Sequence, residues 1–251
     1  MSSPLISLMG SDPTSTPEIR RARKIEVALG YRIFAAQHWG DLGDGHISAR
    51  DPERTDAFWM LRYGVSYHRA KVSDLVLVGP DGKLLEGEGF VNRAAYFIHH
   101  PILMARPDAA SAAHVHTGWG TPFSAEARPI EPISQESCIF FEDHALFDDE
   151  EVQIQDTDGG RRIAEALGDK RAVLLRNHGL LTVASRVDEA VGSFVALERV
   201  AEVHMKVRNP KPISPEAARY ARDDLTSSAI GRVGFWNLVA RHVEDPEIVL
   251  D

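Results

Sequence analysis

The order of apolar and polar positions along the chain predicts strands bracketed by helices. Residues 1–16 carry Ser, Pro and Thr with no period and read as a mobile arm. Thr16-Pro17-Glu18 marks a helix start, with Thr16 as N-cap and Pro17 at the first helical position, where its missing N–H is no loss. Ile25, Leu29, Ile33 and Ala36 follow at helical spacing, and the stretch from Gly40 to Gly45 ends a helix expected over residues 17–39. From Gly43 to Glu86 short β-type runs take over, notably Leu75 to Val78, and Pro80-Asp81-Gly82 is a turn that joins antiparallel strands.

Helical texture returns over residues 92–105, where Pro101 is expected to kink or restart the helix because it removes a donor. Asp108 leads into a strand over Ala112 to Thr117, and a loop rich in Gly and Pro runs to about residue 132. Residues 159–168 predict a short helix and Ala172 to Arg176 a buried strand. After the turn Asn177-His178-Gly179 comes another strand, Leu180 to Ala184. Ser185, with Asp188 three positions on, opens a long helix whose apolar face holds Val191, Phe194, Leu197 and Ala201. Helices on both sides of strands, with a hairpin among them, imply a three-layer α/β/α domain with a mixed sheet over residues 17–208. Residues 209–251 read as a C-terminal helical appendage.

Composition narrows the function. With 251 residues, 43% of them hydrophobic, one sizeable core can be buried. The net charge of −9 argues against nucleic acid as a partner, because that affinity rests on clustered Lys and Arg. No apolar run approaches the ~18 residues of a membrane span, and the start lacks the basic and apolar regions of a secretory signal, so a cytoplasmic protein is expected. Cys138 is the one cysteine, which excludes an intrachain disulfide, and in the run Cys138-Ile139-Phe140-Phe141 it reads as a small core residue.

The chemistry lies in the histidines. His114-Val115-His116 falls on a predicted strand, where residues two apart share a face with Cα atoms roughly 6.5–7 Å apart, so both imidazoles can converge on one ion. His178 follows the apolar strand Ala172 to Arg176 and emerges where that strand ends and a turn begins. Functional groups gather at such strand ends.

Together with Arg106-Pro107-Asp108, Leu175-Arg176-Asn177-His178-Gly179-Leu180 and the helix bearing Glu198, these motifs resemble the class II aldolase and adducin head-domain family over roughly residues 20–208. The resemblance implies an α/β/α domain, a cyclic tetramer with the site near a subunit interface, and a divalent ion on His114, His116 and His178. Zinc is the first expectation, with manganese or Fe(II) as alternatives. In the family's sugar-phosphate aldolases a Ser-Ser-Glu segment supplies a phosphate contact and a metal-ligating glutamate. Here the three positions are Arg93, Ala94 and Ala95, so the glutamate is missing. The family's Gly-Asn-Ile-Ser reads Gly45-His46-Ile47-Ser48, and its Thr-Gly phosphate turn reads Tyr63-Gly64.

These departures shape the expectations for substrate and catalysis. Arg93, with a planar guanidinium fork suited to a carboxylate, and His46 are candidate substrate contacts. His144, in Glu142-Asp143-His144, is the candidate acid or base in place of the glutamate, and His99 is expected to be a structural hydrogen-bonding residue. A metal-dependent carbon–carbon lyase, by aldol-type cleavage or decarboxylation of a small carboxylated and non-phosphorylated substrate, is the first reading. A non-heme iron oxygenase acting on an aromatic or hydroxy acid is the second, and a non-catalytic adducin-like binding module the third.

Overall fold

A computed structural model describes residues 12–227 and 229–250; most of the arm expected at 1–16 lies outside the described residues. The first helix, α1 (Thr16–Ala36), is capped by Ser15 and not by Thr16. Glu18 sets the difference: its carboxylate accepts from the backbone N–H of Ser15 at 3.0 Å and of Thr14 at 3.1 Å, which fixes the cap three residues upstream of it.

Eight strands then form one sheet: β1 (Gly45–Arg50), β2 (Phe58–Leu61), β3 (Leu75–Val78), β4 (Leu84–Glu86), β5 (Ser111–Val115), β6 (His144–Phe147), β7 (Ala172–Leu175) and β8 (Gly179–Ala184). Their order across the sheet is β4-β3-β2-β1-β5-β8-β7-β6. Neighbours are antiparallel except β6 and β7, which run parallel, so the sheet is mixed as expected. The Pro80-Asp81-Gly82 turn closes the β3–β4 hairpin, with Gly82 at the positive φ of 74° that such turns demand.

Strand alternation assigns the layers. Ala113 and Val115 of β5 face one side, where α1, α5 (Val187–Lys206) and α7 (Ile230–His242) pack Val27, Leu29, Phe194 and Phe235 into the main core. Ala112 faces the other side with Leu181 and Val183 of β8, under α2 (Arg93–Ala105) and α4 (Thr157–Leu167), whose Ile98, Ile102, Ile163 and Leu167 close that layer. The result is a three-layer α/β/α sandwich.

Three differences from the sequence reading have physical causes. The helix α2 runs through Pro101 without a break. Proline removes the donor that would pair with the carbonyl of Phe97, and α4 approaches that carbonyl so closely that a Cβ on Gly160 would lie 1.7 Å from it. The stretch read as a loop up to residue 132 contains a short helix, α3 (Gly120–Ala125), and the acidic segment Glu142-Asp143-His144 leads into the edge strand β6. The segment read as an appendage is joined to the domain: α7 buries Phe235, Leu238 and Val239 in the main core, and a Cβ on Gly192 of α5 would meet the Gly231 carbonyl at 1.8 Å. The remaining helix, α6 (Pro215–Ser227), buries only Ala218.

Candidate metal centre

β5 pairs with β8 in a register that sets Val115 opposite Leu180. The residue following β5 therefore stands beside the turn that precedes β8. This brings His114 and His116 to His178, with ring centroids 5.3 Å apart for the first pair and 4.9 Å from His178 to each. One nitrogen from each ring falls in a set whose members all lie within 4.8 Å of one another. The turn is made by Asn177 in the left-handed region at φ 57°, a conformation that asparagine tolerates better than most residues.

Local contacts orient each ring. His114 is buried, and its Nδ1–H donates to the Leu180 carbonyl at 2.7 Å, which leaves Nε2 as the free, ligand-type nitrogen. The backbone N–H of His116 donates to the Asp44 carbonyl at 3.0 Å, and its Nδ1 lies 3.8 Å from the Asp44 carboxylate, whose Oδ1 is buried without a hydrogen-bond partner among the described residues. Glu198 of α5 fixes the chain after His116: its carboxylate accepts from the Thr117 hydroxyl, from Trp119 N–H at 3.0 Å and from Gly120 N–H at 2.8 Å.

Burial holds all three rings neutral near pH 7. It pushes His114 well below the usual histidine range, with His178 and His46 adding to the effect. His178 is brought down to about 4 by burial and then by His116. In His116 burial lowers the pKa while Asp44 opposes it. Neutral imidazoles are the form that binds metal, so this donor set fits a divalent ion; with Ala95 in the glutamate's place, three protein ligands would leave positions for water and substrate.

The histidines open into a cavity of about 450 Å³ that Asp44, Asn92, Ala94, Gln153 and Asn177 also line. It shares His46, Tyr63 and Asn92 with a second hollow of about 290 Å³, walled by Tyr31, Met60, Tyr67 and Ala95. His46 lies opposite His114 in the β1–β5 register, its ring centroid 4.9 Å from that of His114. Its Nδ1 is 2.6 Å from His99 Nε2, and His99 Nδ1 is 2.5 Å from the Ser48 hydroxyl, so His99 has the hydrogen-bonding place expected of it.

The family model described as Class II Aldolase and Adducin N-terminal domain matches residues 25–205. The chain belongs to that family. Among relatives, it is 35% identical over 249 residues to the decarboxylase NovR of Streptomyces niveus, covering 94% of this chain and 91% of the relative. It is equally 35% identical over 249 residues to the 4-hydroxy-3-prenylphenylpyruvate oxygenase/4-hydroxy-3-prenylbenzoate synthase of Streptomyces roseochromogenus subsp. oscitans, covering 94% and 88%. Rat alpha-adducin is 32% identical over 199 residues, covering 76% of this chain and 26% of the relative. Among solved structures, an L-fuculose 1-phosphate aldolase from Glaciozyma antarctica PI12 superposes with a TM-score of 0.84 at 30% identity, covering 96% of this chain and 98% of that one.

Within this class II aldolase fold the expected site residues separate. His114, His116, His178 and His46 come together. Arg93 does not join them: it is exposed at the start of α2, its guanidinium lies over the Phe97 ring at 5.5 Å, and it faces a neighbouring surface hollow with Gln153 and Gln155. His144 is also elsewhere. It pairs with Ala172 at the start of β7, whereas His178 follows that strand's far end. Both its nitrogens serve the backbone, Nδ1 donating to the Phe140 carbonyl at 2.6 Å and Nε2 accepting from Ile130 N–H at 2.9 Å. The sequence reading assigned no part in the site to Asp44, Ser48 and Asn177. Ser48 was open to discovery, because His46 and Ser48 stand two apart on a strand, the spacing that singled out His114 and His116.

Proposed function

We propose that this chain is a metal-dependent enzyme that breaks a carbon–carbon bond next to a carbonyl or carboxylate, by decarboxylation or aldol-type cleavage, in a small carboxylated substrate without a phosphate. The observation that carries the reading is the clustering of three histidines, one nitrogen from each within 4.8 Å of the others, in the lining of a cavity, with an alanine where a glutamate ligand would stand. His114, His116 and His178 would hold a divalent ion, zinc first among the candidates, which would supply Lewis-acid chemistry toward a substrate oxygen. The chain's own residues do the rest. His114 is held by Leu180, the loop after His116 is held by Glu198, and Asn92 caps α2 by accepting from Ala94 N–H at 3.0 Å, which shapes the cavity wall.

The second hollow supports a substrate with an aromatic body that also carries a polar group, since Asp41, Arg62 and Ser66 line it beside its apolar walls. Tyr31, Tyr67 and Met60 wall it, and the hydroxyls of Tyr31 and Tyr67 are already paired with the backbone at Ile47 and Gly45. Of the relatives' names, one, a decarboxylase, matches the bond-breaking chemistry, and the other, an oxygenase of a prenylated phenylpyruvate, contains an aromatic substrate. That second name favours one alternative, an iron-dependent oxygenase, on the same site. We further propose that the enzyme works as a homotetramer.

Oxygen dependence separates the two readings. With phenylpyruvate and a panel of aromatic 2-oxo and hydroxy acids, the lyase turns over without O₂ when loaded with Zn²⁺ or Mn²⁺. Turnover that requires both O₂ and Fe(II) selects the oxygenase and overturns the lyase.

A further inference from the structure

We infer that His46 is a catalytic residue of this site, its Nε2–H donating to the substrate oxygen that gains negative charge as the carbon–carbon bond breaks. This rests on the bond-breaking reading above and names the group that does, by hydrogen bonding, part of what Ala95 cannot.

The direction of the donation follows from the buried chain Ser48–His99–His46. Ser48 and His99 are wholly buried and His46 nearly so, at 6% exposure. The Ser48 hydroxyl has His99 Nδ1 as its only hydrogen-bond partner among the described residues. Were it to accept there, its own O–H would be left buried and unpaired, which buried hydroxyls avoid. Ser48 therefore donates to His99 Nδ1. A neutral His99 then carries its proton on Nε2 and donates to His46 Nδ1, so a neutral His46 carries its proton on Nε2.

That nitrogen has no partner within the described chain, and His46 lines both halves of the cavity. Burial keeps the His99 ring neutral, pushing it down to about 3. His46 is not a fourth ligand: its ring lies alongside that of His114, tilted by 37°, and its nitrogens fall outside the three-histidine set. A neutral donor held in place beforehand stabilises developing negative charge without reorganising, the action of an oxyanion hole. Ser48 and His99 are positioning residues, acting through the tautomer they impose.

The test has two readouts besides turnover. Long-range proton–nitrogen correlation spectra of the ¹⁵N-labelled full chain, recorded with and without zinc, are expected to show His46 with a protonated Nε2 and a bare Nδ1. Ser48→Ala, which removes the terminal donor, is expected to shift that tautomer toward its reverse. A bare Nε2 in the unsubstituted chain overturns the inference in either metal state.

Calorimetry of oxalate binding to the zinc-loaded chain is the second readout. His46→Leu is expected to weaken oxalate about tenfold or more, the worth of one hydrogen bond to a charged group. His46→Gln, which returns an N–H near the Nε2 position, is expected to recover most of that loss. Equal oxalate affinity in His46→Leu and the unsubstituted chain overturns the inference, as does loss of zinc from His46→Leu, which would make His46 a ligand. Failure of the unsubstituted chain to take up zinc instead strikes the bond-breaking reading, while the tautomer still decides where His46 holds its proton.

Discussion

At the scale of single residues, the site is built from histidines kept neutral by burial, and that has a consequence for stability. The pKa of His99 lies near 3 and that of His178 near 4, against an ordinary value of 6.5. Between those values the unfolded chain binds protons that the folded chain refuses, so stability rises with pH through this window. These histidines are therefore expected to contribute their full stability to the metal-free chain above about pH 6.5 and to lose it as pH falls toward 4. The buried Glu26, whose carboxyl is raised to about 8, opposes this, so the lower-pH loss is read most cleanly in a Glu26→Gln background. Urea midpoints of that variant measured in chelator at pH 7.5 and pH 5 check this: a lower midpoint at pH 5 is predicted, and an equal or higher one contradicts it.

The metal histidines were legible because their spacing is itself geometry: two residues apart on a strand, and one at a strand's end. Arg93 and His144 were not legible, because their positions depend on which way a helix start and an edge strand face. Local sequence does not encode that. Arg93 begins α2 with its side chain turned onto Phe97, and His144 spends both nitrogens on the backbone at Phe140 and Ile130.

At the scale of elements, patterning recovered β3, β5, β7, β8, α1, α4 and α5 to within a few residues because each has a clear period. It missed β6, whose four residues are mostly half-exposed at the sheet edge, and α3, whose six residues are too few to show a helical period. It also set α7 apart from the domain, although glycines let that helix approach α5 closely. A matched pair of substitutions tests this packing. Gly192→Ala places a methyl 1.8 Å from the Gly231 carbonyl and is expected to destabilise the chain by about 2–4 kcal/mol through overpacking. Gly234→Ala, in α7 with nothing within 4 Å of its added carbon, is expected to be neutral or to stabilise by about 0.5–1 kcal/mol through helix propensity. Thermal melts compare the two; equal effects would mean that α7 is not docked as described.

At the scale of the whole molecule, the cavity mouth carries Leu42, Tyr63 and Val152, each about half or more exposed. Such apolar groups together invite cover, from a substrate body or from a neighbouring chain. The proposed homotetramer predicts a light-scattering mass four times that of one chain at micromolar concentration, and a monomer at that concentration contradicts it. Among the described residues no helix is long and apolar enough to cross a membrane.

The central claim is that His114, His116 and His178 hold one divalent ion, and elemental analysis of protein purified without added metal tests it most directly. About one ion per chain is predicted for the unsubstituted protein and for His144→Ala, and almost none for His114→Ala, since a three-ligand site rarely survives the loss of a ligand. An unsubstituted chain that retains no metal, or a His114→Ala variant at full occupancy, would contradict the account.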